Sequence, residues 1–136
     1  MFGPYPISSR VSHASATVLA LGGVALLFAP DVILPALVPG FPPDAVWLAQ
    51  LLAAAWLGVA ALDWLQRATL LGGIYGRPVV LANLVLYFVG DLAVLRALRE
   101  PGAPRALWLF VVPATLLAVA YGALLLRGPF DELRGS

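Results

Sequence analysis

Four long apolar runs alternate with short breaks rich in proline, glycine or arginine. Val11 to Pro30 has no formal charge and one titratable group, His13. Ala45 to Leu62 is uncharged and continues as a helical pattern to Gln66 or Arg67. Pro78 to about Arg96 is apolar apart from Asn83, Tyr87 and Asp91, and Ala106 to Leu126 is again uncharged. A helix crosses the hydrocarbon of a bilayer with about 20 predominantly apolar residues, and each run meets that length. The pattern predicts an all-α membrane protein. Its single domain, residues 1–136, is a four-transmembrane-helix up-down bundle with spans at about 12–30, 45–66, 78–96 and 105–126.

The breaks read as loops. Asp31 to Asp44 holds Pro35, Pro39, Pro42 and Pro43, and proline removes a donor and blocks helix continuation, so a loop against the membrane interface is expected there, with Asp44 as a cap for the next helix. Gly72 to Arg77 reads as a turn, because glycine takes positive φ cheaply and Pro78 disfavours helix at Arg77. Pro101, Gly102 and Pro104 mark the last loop, and Pro113 is expected to bend the last span. A cleaved leader would need a small-x-small site after Phe28-Ala29, but Pro30 stands there, so the first run is expected to remain as a span.

Composition agrees. The chain is 62% hydrophobic and 11% charged, against about 25% charged in soluble domains, so lipid is its main solvent. Net charge is +1 with no basic tract, which argues against nucleic acid as a partner. Without cysteine there is no thiolate chemistry. One histidine gives little basis for a transition-metal or haem site, so neither a cofactor nor a metal is expected. No nucleophile elbow or phosphate-loop motif is present. Ser8, Ser9, Ser12 and Ser15 lie near His13, but serines so close in sequence do not form a catalytic triad.

All eight basic residues are arginines. Arg10, Arg67, Arg77, Arg127 and Arg134 fall on the side of the termini, and Arg96, Arg99 and Arg105 on the other. By five arginines to three the positive-inside rule favours both termini in the cytoplasm, with dual insertion as the alternative. Trp47 and Trp64, at opposite ends of the second span, fit the aromatic belts of the two interfaces. Ala54, Gly58 and Ala61 in the second span, and Ala114, Ala118 and Gly122 in the fourth, form small-residue stripes of the kind that let helices approach closely in lipid.

The chain resembles a group of small, uncharacterised bacterial four-span membrane proteins. The likeness rests on Phe28-Ala29-Pro30-Asp31, on Ala54-Ala55-Trp56-Leu57-Gly58, and above all on Gly72-Gly73-Ile74-Tyr75-Gly76-Arg77-Pro78-Val79-Val80 followed by Asn83. It covers most of residues 15–98. The group implies a multi-pass protein of the inner membrane and brings no activity with it. Its members commonly carry Asn where this chain has Asp63.

Ionisable groups inside a span are costly and mark candidate sites. Pairing the spans across the central hairpin puts Asp63 and Asn83 within about one helical turn in depth. His13 and Tyr121 fall in the same half, so His13, Asp63, Asn83 and Tyr121 form a candidate polar pocket. The competing reading pairs Asp63 with Arg67 one turn away and uses Asn83 as glue between helices. Asn83, Tyr87 and Asp91 recur every four residues and share a face. Gln50, Tyr87 and Asp91 form a candidate outer polar face, unless Asp91 simply pairs with Arg96. Arg67 and Arg77, beside the glycine turn, are candidate contacts for lipid head groups or an acidic partner. Two functions follow. One is a non-catalytic packing protein, either an accessory subunit of a larger membrane complex or a homo-oligomer. The other is a small transporter or channel using Asp63 and the Asn83, Tyr87 and Asp91 face.

Overall fold

The computed structural model describes residues 7–68 and 76–127. Residues 72–75 of the turn expected at Gly72–Arg77, the start of the chain and the tail beyond Arg127 lie outside them, and Arg77 is already helical. Five α-helices follow in order: α1 (Ile7–Phe28), α2 (Pro30–Leu37), α3 (Val46–Leu65), α4 (Arg77–Leu98) and α5 (Trp108–Arg127). Short 3₁₀ turns at Pro43–Ala45, Gln66–Ala68 and Arg105–Leu107 lengthen the ends of α3 and α5. Four of these segments, Ile7–Phe28, Pro43–Ala68, Arg77–Leu98 and Arg105–Leu126, are long and apolar enough to cross a membrane. The chain is an all-α, four-span membrane bundle.

The segment expected as a loop after α1 is partly helical. Pro30 occupies the first position of α2, where the missing N–H would have no helical partner in any case. Pro35 cannot donate to the Asp31 carbonyl, but both residues are exposed, so that carbonyl is not sealed from solvent. Leu34 anchors α2 against Leu26, Ala49 and Ala53 at the ends of α1 and α3. Asp44 does not cap α3. The cap position is Ala45, with no side-chain hydrogen bond, and Asp44 is exposed within the preceding turn. Positive φ is used at Gly40 (77°) and Gly102 (83°), in the two loops at one end of the bundle. Gly76, at φ −87°, leads into α4 through ordinary helical space.

In lipid, apolar surface gains little by pairing with apolar surface, so helices associate through close packing and polar contacts. The tightest pairs are α1 with α3 and α4 with α5. The α1–α3 seam is built from Ser12, Ala16, Leu19, Gly23 and Leu26 facing Ala49, Ala53, Ala60 and Asp63. A Cβ on Gly23 would come within 2.9 Å of Leu57 Cγ and 3.2 Å of the Ala53 carbonyl oxygen. Hydrogen there allows the approach. On α5, Ala114 and Ala118 are buried and Gly122 faces Leu84 of α4, so this small stripe packs inward.

The stripe on α3 faces the other way. Ala54, Gly58 and Ala61 are exposed, and a Cβ on Gly58 would meet nothing within 4 Å. Residues advance by about 100° around a helix, which puts Asp63 roughly 140–200° away from each of them. Once the carboxylate is turned inward, the stripe must face lipid.

Leu51, Leu109 and Leu126 also face outward, as do Trp47, Trp64 and Trp108 near the span ends. Between the two helix pairs, on the side of α2 and the α4–α5 loop, lies an apolar crevice of about 430 Å³.

Replacing Gly23 with valine should lower the stability of the detergent-solubilised protein by about 1–3 kcal/mol, the usual cost of forcing bulk into a packed seam. Gly58→Ala should stay within about 0.5 kcal/mol, as surface substitutions do. Denaturant titration followed by circular dichroism measures both, and equal effects would reject the packing argument.

Candidate functional site

The inward face of α1 repeats Ser8, Ser12, Ser15 and Leu19 at helical spacing, and the α4 face repeats Val79, Asn83, Tyr87 and Asp91. Asp63 sits two residues before the end of α3. These three faces meet in one polar cluster. The Ser15 hydroxyl lies 2.5 Å from Asp63 Oδ2, 3.2 Å from Asn83 Oδ1 and 2.7 Å from the Tyr87 hydroxyl. The Asn83 amide donates to Asp63 Oδ1 at 2.6 Å and to its own helix at the Val79 carbonyl. A serine hydroxyl has one hydrogen and two lone pairs. Ser15 can therefore donate to only one of its two acceptors at a time, while Tyr87 donates to it.

Ser12 adds a fourth link. Its hydroxyl donates to the Asp63 backbone carbonyl at 2.7 Å. The last four carbonyls of a helix have no partner within it, and Asp63 is among those of α3. The Trp64 carbonyl, one residue on, accepts from Arg67 at 2.5 Å. A serine of α1 and an arginine just past the helix thus finish the end of α3.

Asp63, Asn83, Ser12 and Ser15 are completely buried, at 0% exposure. Tyr121 is equally buried and stacks on Tyr87, with ring centroids 6.1 Å apart. Its hydroxyl has no hydrogen-bond partner among the described residues. Three of the four expected pocket residues, Asp63, Asn83 and Tyr121, are thus gathered at one place. His13 holds to its own helix and to α3. Its Nδ1 donates to the Ser9 carbonyl at 2.7 Å, and its ring meets Trp64 edge-on at 5.4 Å.

The outer grouping is rearranged. Tyr87 belongs to the inner cluster through Ser15. Gln50 is exposed on α3. Asp91 is buried and accepts from Thr115 of α5, which takes the place of the expected pairing with Arg96. Its Oδ1 has no partner among the described residues. The expected Asp63–Arg67 pair does not form either. Both hydrogen-bonded carboxylate oxygens of Asp63 face neutral groups, and the Arg67 guanidinium lies 4.3 Å over the Trp64 ring. Inward rotation of Asp63 separates it from Arg67, which stays at the helix end where a cation favours the dipole. Arg77 is exposed as the first residue of α4.

Ser12 and Ser15 are the site residues that the sequence reading missed. The signal was available, because the serine spacing runs straight on into Leu19, Gly23 and Leu26 as one inward stripe.

Comparison with family models, with curated proteins and with solved structures finds no match for this chain.

Asp63→Asn keeps a side chain that can bond both Ser15 and Asn83, and should change stability by less than about 1 kcal/mol. Asp63→Leu and Ser15→Ala should each cost about 1–2 kcal/mol, the range for hydrogen bonds between helices in a membrane. Unfolding in mixed micelles distinguishes them. A large loss in Asp63→Asn would show that the cluster needs a carboxylate and not merely a hydrogen-bonding group.

Proposed function

We propose that this chain is a non-catalytic protein of a bacterial inner membrane that works through helix packing, as an accessory subunit or as a homo-oligomer. Both termini are assigned to the cytoplasm, as the arginine distribution favours. The observation that carries the reading is the sealed state of the polar cluster. Asp63, Asn83, Ser12 and Ser15 are spent on contacts among α1, α3 and α4 and have no exposed surface. Such a cluster is a clamp between helices. The lipid-facing Ala54, Gly58 and Ala61 supply a surface on which a further helix can pack closely.

A small transporter or channel is the second reading. It is favoured by the buried Asp91 Oδ1 and Tyr121 hydroxyl, which lack partners among the described residues and lie on faces that flank Tyr87. Against it, Gln50 is exposed on α3 while Tyr87 and Asp91 are buried on α4.

The mass of the protein extracted in mild detergent tests the first reading. A defined complex or homo-oligomer is expected, and Gly58→Leu should dissociate it while leaving helix content unchanged. A monomer carrying an ion or solute flux in proteoliposomes, abolished by Asp63→Asn or Asp91→Asn with the fold intact, would replace packing with transport.

A further inference from the structure

Neither the clamp nor the span pairing assigns a role to the apolar crevice. It opens between the α1–α3 and α4–α5 pairs, and its rim residues Val18, Ala25 and Leu109 are exposed to the bilayer. Trp56 and Phe110, stacked at 5.6 Å, form part of its wall. Tyr87 lies at its inner end and Ala106 at its outer end. A cavity of about 150 Å³ lined by apolar side chains accepts one benzene. This one measures about 430 Å³ and faces hydrocarbon, so a lipid chain and not water is its natural filling.

Its length matches one leaflet. Along its walls Val18 and Leu26 on α1, like Ala106 and Ala114, are eight residues apart, a rise of roughly 12 Å, and half of the hydrocarbon core is about 15 Å. At the outer end, Arg105 immediately precedes Ala106 in the same 3₁₀ turn, and Arg96 and Arg99 close α4. All three arginines are exposed, with Glu100 as the acidic residue among them. Asp31 in the first turn of α2 and Asp44 before α3 lie in the other connection of this end, so an anion is drawn to the α4–α5 loop and not spread over the whole rim. These are the arginines that run against the positive-inside pattern, and a bound anion gives them a reason to be there.

We propose that the crevice binds one glycerophospholipid of the adjoining leaflet, with an acyl chain in the crevice between Tyr87 and Ala106 and the phosphate at Arg99 and Arg105. Arginine matches phosphate with paired donors in fixed geometry. The site adjoins the clamp at Tyr87, and it stands whether the chain works alone or as a subunit.

Native mass spectrometry from nanodiscs tests it, with phosphatidylglycerol and diacylglycerol of the same chain length as probes. One phosphatidylglycerol per chain should be retained in preference to diacylglycerol. Arg99→Gln with Arg105→Gln should reduce that preference by about tenfold to thirtyfold, the effect expected of two arginines at an anionic head group. Ala25→Phe, which adds bulk at the exposed rim, should reduce retention of both probes while helix content stays the same. The arginine variants lie on an exposed loop and keep the test decisive if the filled variant does not fold. Equal retention of the two probes by the native chain, unchanged preference in the arginine variant, or a lipid-free dimer with the crevice covered by a second copy would each overturn the proposal.

Discussion

Ser15, Asp63 and Asn83 share a set of short hydrogen bonds at the meeting point of three spans, and the rest of the bundle is oriented by them. In hydrocarbon an unpartnered carboxylate or amide is expensive, so these groups must face one another. Their positions fix the rotation of α1, α3 and α4 about their axes. Given that rotation, Ala49, Ala53 and Ala60 come against α1, Gly23 can sit close to the Ala53 carbonyl, and Tyr87 reaches Tyr121 on α5. The apolar contacts follow from the polar ones, the reverse of the order in a water-soluble core.

The gross architecture was legible because hydropathy and length dominate in lipid. The spans agree with the apolar runs to within a few residues, apart from the start of α1 near Ile7. The inward face of α4 was legible as well, since Asn83, Tyr87 and Asp91 are the polar residues of an otherwise apolar helix. The face of α3 was not. That helix is so rich in alanine that it carries two small-residue stripes, and small size alone does not choose between them. Asp63 chooses, through the cost of exposing it to lipid. The serines of α1 were read as candidate chemistry and dismissed, although their helical spacing was the informative feature. The proline content of residues 31–44 concealed α2, because Pro30 suits the first position of a helix and Pro35 is tolerated at an exposed position inside it.

The same arrangement accounts for the crevice. The clamp draws the two helix pairs together toward the end where α3 stops and α4 begins. Toward the other end, α1 and α3 remain joined to each other, as do α4 and α5, while stacked Trp56 and Phe110 bridge the gap. The opening is therefore built into a bundle whose polar adhesive is concentrated in one half.

The links of the clamp differ widely in sequence separation. Asp63 and Asn83 are 20 residues apart, Ser15 and Asp63 are 48, and Ser15 and Tyr87 are 72. During synthesis α1 thus enters the bilayer well before any partner for Ser15 exists, and its hydroxyls have only their own helix to bond. Asp63 arrives next and finds Ser12 and Ser15, but its second oxygen waits for Asn83. The hydrogen bonds of the clamp are complete only after the third span is in place. A chain that stops after α3 would hold a half-satisfied carboxylate in the membrane, because the partner of Asp63 Oδ1 is on α4.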